Sequence, residues 1–267
     1  MNDKYNPKFY KRATNYVEKI QHKLFDNIIF EGKENIPEGQ KLYASNHVSL
    51  ADFLVQGYFF GRENIEPPRF IAGRNLNHFP FGYIWSRCGA ISIDRNNRKP
   101  SYWKGYIKTL ENLIDTNKDI LIYPEGGRSY DGKTKSELKT GSLKKIIKYS
   151  DGNINIVPMF VSYDNRIEEG NLERVKYYKE SEAENLRIAN VLKKDKMIIP
   201  SFMYNLFAKI DGKKYFYYGL ESYMKRPKEK NKGNAYLRIG EPFLPGKDFE
   251  SQIKLAWKFL ERKNGGE

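Results

Sequence analysis

Short apolar runs alternate with helical patterns along much of this chain, and that alternation narrows the folds open to it. "KLYAS" (Lys41–Ser45), "RFIAG" (Arg69–Gly73), "AISID" (Ala90–Asp94), "DILIYP" (Asp119–Pro124) and "INIVPMFVSYD" (Ile154–Asp164) have the length and β-branched content of buried strands. Between them, "DFLVQGYFF" (Asp52–Phe60) predicts a helix with Asp52 in its first turn. Trp103, Ile107, Leu110 and Ile114 mark another by their three- and four-residue spacing. Strands that alternate with helices predict an α/β fold, a central mixed β-sheet covered by helices.

The flanks differ. Ala13, Val17, Ile20, Leu24 and Ile28 predict an amphipathic helix over about Tyr10–Asn27, with Lys11, Arg12, Lys19 and Lys23 on its other face. Such a helix either packs on the core or lies in a bilayer interface. From Asn165 to Asn234 the pattern loosens into a charged helical stretch (Ser181–Lys194), an aromatic stretch (Met197–Tyr223) and a basic loop (Lys225–Asn234). "AYLRIGEPF" (Ala235–Phe243) returns to strand character, and Phe249, Ile253, Trp257 and Leu260 share one face of a last helix. The expected organisation is a helical segment over 1–40 and one domain over 41–267, interrupted by an insertion at about 165–234.

Composition excludes several classes. One cysteine in 267 residues rules out an internal disulfide framework and suits a reducing compartment. The N-terminus has no uninterrupted apolar core of the secretory kind, and "MIIPSFMYNLF" (Met197–Phe207) falls short of the ~20 apolar residues of a membrane span. A cytoplasmic protein is expected. The net charge of +14 draws polyanions. Paired C-x-x-C, an aromatic RNA-reading signature and a basic zipper are all missing, so nucleic acid is not the expected partner.

Three unusual segments fall where predicted strands end, which is where α/β sheets place their sites. "SNHVSLAD" holds His47 five residues before Asp52. A neutral imidazole can take a proton from an attacking hydroxyl while a carboxylate orients its other nitrogen. The same pair also fits a helix-capping aspartate beside a structural histidine. "YPEGGRS" (Tyr123–Ser129) offers Gly126 and Gly127 for close backbone approach, Arg128 as a planar anion fork, Ser129 as a donor, and Glu125 to hold an arginine or a ligand hydroxyl. It is not a Walker loop. "IDRNNR" places Arg95 at a strand end, and Arg74 stands similarly in "AGRNL"; each is an anion ligand or an ordinary surface arginine. Together, a base for an alcohol and cations for a phosphate describe acyl transfer to a phosphorylated polyol.

With these residues in view, the chain resembles the glycerolipid acyltransferase superfamily, which includes glycerol-3-phosphate and lysophosphatidic acid acyltransferases. Asn46, His47 and Asp52 match its N-H-x4-D block, and Gly89–Arg95 matches G-x5-R. Tyr123–Ser129 matches [FY]-P-E-G-x-R-S, and "IVPMFV" with Pro158 matches its proline-centred strand. "LRIGEP" (Leu237–Pro242) is similar to a late strand. "AGRNLNHFPFG", "LKTGSL" and "SYD" look like the glycerol-3-phosphate branch; the other branch more often has Thr where Gly127 stands. The resemblance implies His47 as general base, Asp52 as its partner, and Arg95, Glu125, Gly126, Gly127, Arg128, Ser129 and Arg74 around the acceptor. Pro158 would lie on the acyl side. It also implies acyl-CoA or acyl-carrier protein as co-substrate, with no cofactor, no metal and no covalent acyl-enzyme. Attachment to an anionic membrane surface is expected to be peripheral, at the inner membrane. Lysophosphatidic acid is the alternative acceptor. A non-catalytic anionic-lipid-binding module is the reading from another class; it would use the charge and the aromatic stretch but not His47 beside Asp52.

Overall fold

The computed structural model describes residues 3–73, 81–129, 131–167 and 230–262. Helix α1 (Pro7–Leu24) leads into β1 (Ile28–Glu31), a short 3-10 turn and β2 (Lys41–Ser45). Then follow α2 (Asp52–Arg62), β3 (Arg69–Gly73), α3 (Phe81–Arg87), β4 (Ala90–Ile93), α4 (Pro100–Asp115), β5 (Ile120–Ile122), α5 (Gly141–Tyr149) and β6 (Asn155–Tyr163). Strand β7 (Ala235–Ile239) and helix α6 (Phe249–Arg262) complete the described chain.

The strands form one sheet in the order β1-β7-β6-β2-β5-β3-β4. Every neighbouring pair is parallel except β6 and β7. Five strands therefore end on the same edge, and the three unusual segments emerge there. The pleat sorts side chains to two faces. Leu42 and Ala44 of β2 face a core with Leu110, Leu143, Ile146 and Trp257 from α4, α5 and α6. Tyr43 faces the other core, with Leu24, Val55 and Phe59 from α1 and α2. The mixed sheet covered by helices is the fold read from the sequence.

The boundaries show which local signals governed. Asn6 caps α1, its side chain accepting from Phe9 N at 2.9 Å, and Pro7 opens the helix. The helix stops at Leu24 rather than Asn27, because Phe25 turns extended. Ile28 continues the helical spacing only by coincidence; it begins β1, pairing with Ala235. The region before Lys41 thus adds a strand to the sheet as well as a helix. Helices α3 and α5 were not read from the sequence. The stretches Ser181–Lys194 and Met197–Tyr223 lie outside the described residues, and of the loop 225–234 only 230–234 is described. There, Gly233 N donates to Asp26 at 2.8 Å and Asn234 N to Asp164 at 2.8 Å.

Of the two readings of α1, the structure takes the packed one. Its apolar side lies on α2, where Gly57 and Gly61 remove the side chains that would hold the helices apart. Tyr10 Oη donates to Gly57 O at 2.6 Å. A Cβ on Gly61 would come within 2.6 Å of Thr14 Cγ2 and 2.8 Å of its Cβ. Lys8, Lys11, Arg12, Lys19 and Lys23 are left exposed on the outer side. Exchanging a helical glycine for alanine normally stabilises by up to ~1 kcal/mol. Gly61→Ala is expected to do the opposite, costing about 1–3 kcal/mol through overpacking against a β-branched residue that cannot rotate away. Thermal unfolding of the variant measures the sign directly.

Candidate active site

The loop between β2 and α2 is fixed at both ends before any catalytic group is considered. Asn46, fully buried, continues the β2–β6 ladder with its side chain: Nδ2 donates to Val161 O at 2.8 Å, and Val161 N donates to Oδ1 at 2.7 Å. Each such bond contributes about 1 kcal/mol net, but losing either leaves a buried backbone group unpaired. The asparagine of the N-H-x4-D block is thus a backbone mimic. At the other end Ser49 Oγ accepts from Ala51 N at 3.0 Å as α2 begins.

Asp52 has no solvent-exposed surface, so its carboxylate needs donors from the protein. His47 Nδ1 lies 2.7 Å from Oδ2, which also accepts from Val48 N at 2.8 Å and Ser49 N at 3.0 Å. Tyr163 Oη donates to Oδ1 at 2.7 Å. Asp52 therefore bonds backbone upstream of α2 instead of the first-turn amides that a capping aspartate serves. It holds the loop and orients the imidazole at once. With Nδ1 donating to Asp52, Nε2 carries the lone pair. Tyr123 stacks on the ring at a centroid distance of 4.3 Å, and Phe53 meets it edge-on at 5.4 Å. The Tyr123 hydroxyl is tied to Gln56, whose Nε2 donates to Ser45 Oγ at 2.6 Å. Burial, with Asp52 nearby, holds that phenol well above its ordinary pKa.

The loop after β5 grips the same histidine by its backbone. His47 N donates to Glu125 Oε1 at 3.1 Å, and Ser129 N donates to His47 O at 2.8 Å. The second Glu125 oxygen accepts from Lys135 N at 3.3 Å. Glu125 is buried, and burial pushes its carboxyl up to about 7 despite those two bonds and the charge of Lys135. Gly126 has a positive φ of 71°, and a Cβ there would lie 3.0 Å from Lys139 Cβ. Arg95 from the end of β4 donates to Gly126 O, and Lys135 Nζ donates to Gly127 O at 2.7 Å. Burial comes first among the influences that lower the Lys135 pKa.

These groups surround one cleft of about 860 Å³. Lining it are His47, the cations Arg95, Arg128, Lys135, Lys139 and Lys145, and the apolar Phe53, Ile71, Ile93, Trp103, Ile107 and Ile122. No Asp or Glu lines it among the described residues. His47, Arg95, Gly126, Gly127 and Arg128 come together here as the sequence suggested. Asp52, Glu125 and Ser129 stand behind the wall; Ser129 Oγ donates to Asp131 at 2.7 Å. Arg74 lies outside the described residues.

Pro158 is buried in β6 and is not among the lining residues. Its carbonyl accepts from Gly240 N at 2.9 Å. The ladder beside it steps from Met159↔Ile239 to Ile156↔Phe243, three residues against four. The missing proline N–H thus falls at a bulge, where the ladder is already interrupted. Lys135, Lys139 and Lys145 were not singled out from sequence. The lysine repetition in "GKTKSELKTGSLKK" was the available signal, but charge runs of that kind usually mark a solvated surface.

The family model described as Acyltransferase matches residues 27–162, and the chain belongs to that family. A glycerol-3-phosphate acyltransferase of Alteromonas mediterranea is 28% identical over 247 residues, covering 89% of this chain and 26% of that one. The Shewanella amazonensis protein of the same name is 29% identical over 174 residues, 61% of this chain and 21% of that one. The chain therefore spans about a quarter of the length of these relatives. Among solved structures, the 1-acyl-sn-glycerophosphate (LPA) acyltransferase PlsC of Thermotoga maritima shares the fold. Its TM-score is 0.54 at 18% identity, covering 97% of this chain and 80% of that one.

The elevated Glu125 pKa has a consequence for stability. Folded, the group takes its proton near pH 7; unfolded, near 4.5. Between these values the folded state binds more protons, so this group's contribution to stability falls as pH rises from about 4.5 to 7. Glu125→Gln removes the titration. The melting temperature of the wild type relative to the variant is expected to drop between pH 5 and pH 8, as thermal unfolding at the two values would show.

Proposed function

We propose that this chain transfers a fatty acyl group from a thioester donor, acyl-CoA or acyl-carrier protein, to a hydroxyl of glycerol-3-phosphate. The observation that carries this reading is His47, backed by buried Asp52 at 2.7 Å, on a cleft lined by both cationic and apolar side chains. An acceptor phosphate suits the cations, and an acyl chain suits the apolar side chains. The names of the Alteromonas and Shewanella relatives supply the particular acceptor.

The chemistry follows from the placement of Nε2. As the acceptor oxygen attacks the thioester carbonyl, its proton passes to Nε2, and the new imidazolium is stabilised by Asp52 and by the face of Tyr123. Collapse of the tetrahedral intermediate breaks the carbon–sulfur bond, and His47 returns the proton to the departing thiolate. Arg95, Arg128 and Lys135 hold the phosphate so that the hydroxyl reaches the base. Glu125 and Ser129 set the height of His47 through its backbone.

Peripheral attachment to an anionic membrane is part of the same reading. The apolar side of α1 is occupied by α2, so its exposed lysines and Arg12 would make the contact. No helix among the described residues is long and apolar enough to cross a membrane. Co-sedimentation with anionic vesicles at low salt, lost at high salt, is the expected behaviour; no binding at low salt removes this part.

The decisive assay is thiol release from palmitoyl-CoA with glycerol-3-phosphate or lysophosphatidic acid as acceptor. Turnover is expected with glycerol-3-phosphate and is expected to be lost in His47→Ala. Arg128→Ala is expected to raise KM for the phosphorylated acceptor about tenfold or more and leave that for the thioester nearly unchanged. Turnover that prefers lysophosphatidic acid would reassign the acceptor. A fully active His47→Ala would remove the base.

A further inference from the structure

We infer that Tyr163 is a positioning residue for the proton transfer at His47 and acts through Asp52. The inference rests on the reading of His47 and Asp52 as base and partner. Tyr163 is the last residue of β6 and belongs to none of the four sequence blocks. Its ring packs with the core on the α1–α2 side of the sheet, stacked on Phe25 at 5.7 Å and 24°. It is not among the residues that line the cleft. It therefore reaches the pair from behind, and any effect on the reaction passes through the carboxylate.

The two Asp52 oxygens face different parts of the fold. Oδ2 serves His47 Nδ1 and the amides of Val48 and Ser49, all within one loop. Oδ1 takes the Tyr163 hydroxyl at 2.7 Å, a donor mounted on a central strand. That strand is fixed independently: Tyr163 stands in register with Ala235 of β7, and Val161 two residues earlier is the residue that clamps Asn46. The carboxylate is thus held against rotation by a rigid element, with Oδ2 kept on the imidazole. Phenolic donation also draws charge towards Oδ1, which disfavours passage of the Nδ1 proton onto Asp52; the ring then stays cationic, and its Nε2 proton stays acidic enough to go to the leaving thiolate.

Tyr163→Phe retains the ring and the Phe25 stack and removes only the hydroxyl. It is expected to lower kcat about tenfold while both KM values stay nearly unchanged, since nothing that touches substrate moves. In an Asp52→Asn background the same change should add no further loss, because the group it acts through is already altered. The low-field proton resonance of His47 Nδ1–H, followed by NMR, should shift in Tyr163→Phe even without substrate. A wild-type kcat, a loss that persists in the Asp52→Asn background, or an unmoved resonance would each overturn the inference. Measured alongside, an inactive His47→Ala with an unimpaired Tyr163→Phe would sink only the role of Tyr163. A fully active His47→Ala would sink the reading beneath it.

Discussion

A carboxylate with no access to water lies at the centre of this site, and the surrounding structure is arranged to tolerate it. An ionised group so buried survives only when donors replace its hydration. Asp52 gathers them from the turn before α2, from His47 and from the end of β6. Meeting that demand fixes the loop path and the imidazole orientation. The orientation of His47 and the folding of its loop are one constraint at this position.

A second layer ties distant segments to the same histidine. Glu125 accepts from the His47 amide, and Ser129 donates to the His47 carbonyl, so the loop after β5 sets where the β2 loop can stand. Arg95 and Lys135 hold the two glycine carbonyls of that loop. Cations that would meet a phosphate are thereby pre-placed by the backbone they brace, which lowers the reorganisation needed on binding.

Much of this was legible in the sequence, for reasons that can be named. Buried parallel strands are continuous apolar runs, so β2, β3 and β6 were readable nearly to the residue. The segments that end them carried enough unusual chemistry to mark the site edge. Four residues of β1 could not be separated from the helix before them, because Ile28 falls four positions after Leu24. Helix α5 opens at a glycine, is rich in lysine and runs only nine residues, too short for the spacing of Leu143, Ile146 and Ile147 to repeat. Tyr163 stands in the "SYD" that marks the branch, but its bond to Asp52 cannot be read there because the partner is 111 residues away. Glu125 and Ser129 were noticed as ligand candidates, whereas the fold uses their bonds to hold the backbone. Spacing can suggest that residues meet, but not whether they face a cleft or a neighbouring loop.

The pairing of β1 with β7 bears on how the protein is made. Ile28 stands opposite Ala235, so the edge of the sheet is closed by residues near opposite ends of the chain. During synthesis β2, β5 and β6 can assemble, and with them the His47 loop, long before β7 leaves the ribosome. Until then "IIF" of β1 has no strand beside it, and an apolar edge of that kind is where chains stick to one another. The interval between those two events is set by the length of chain between Tyr163 and Ala235. The chain between β6 and β7 therefore sets how long the nascent protein carries an open edge.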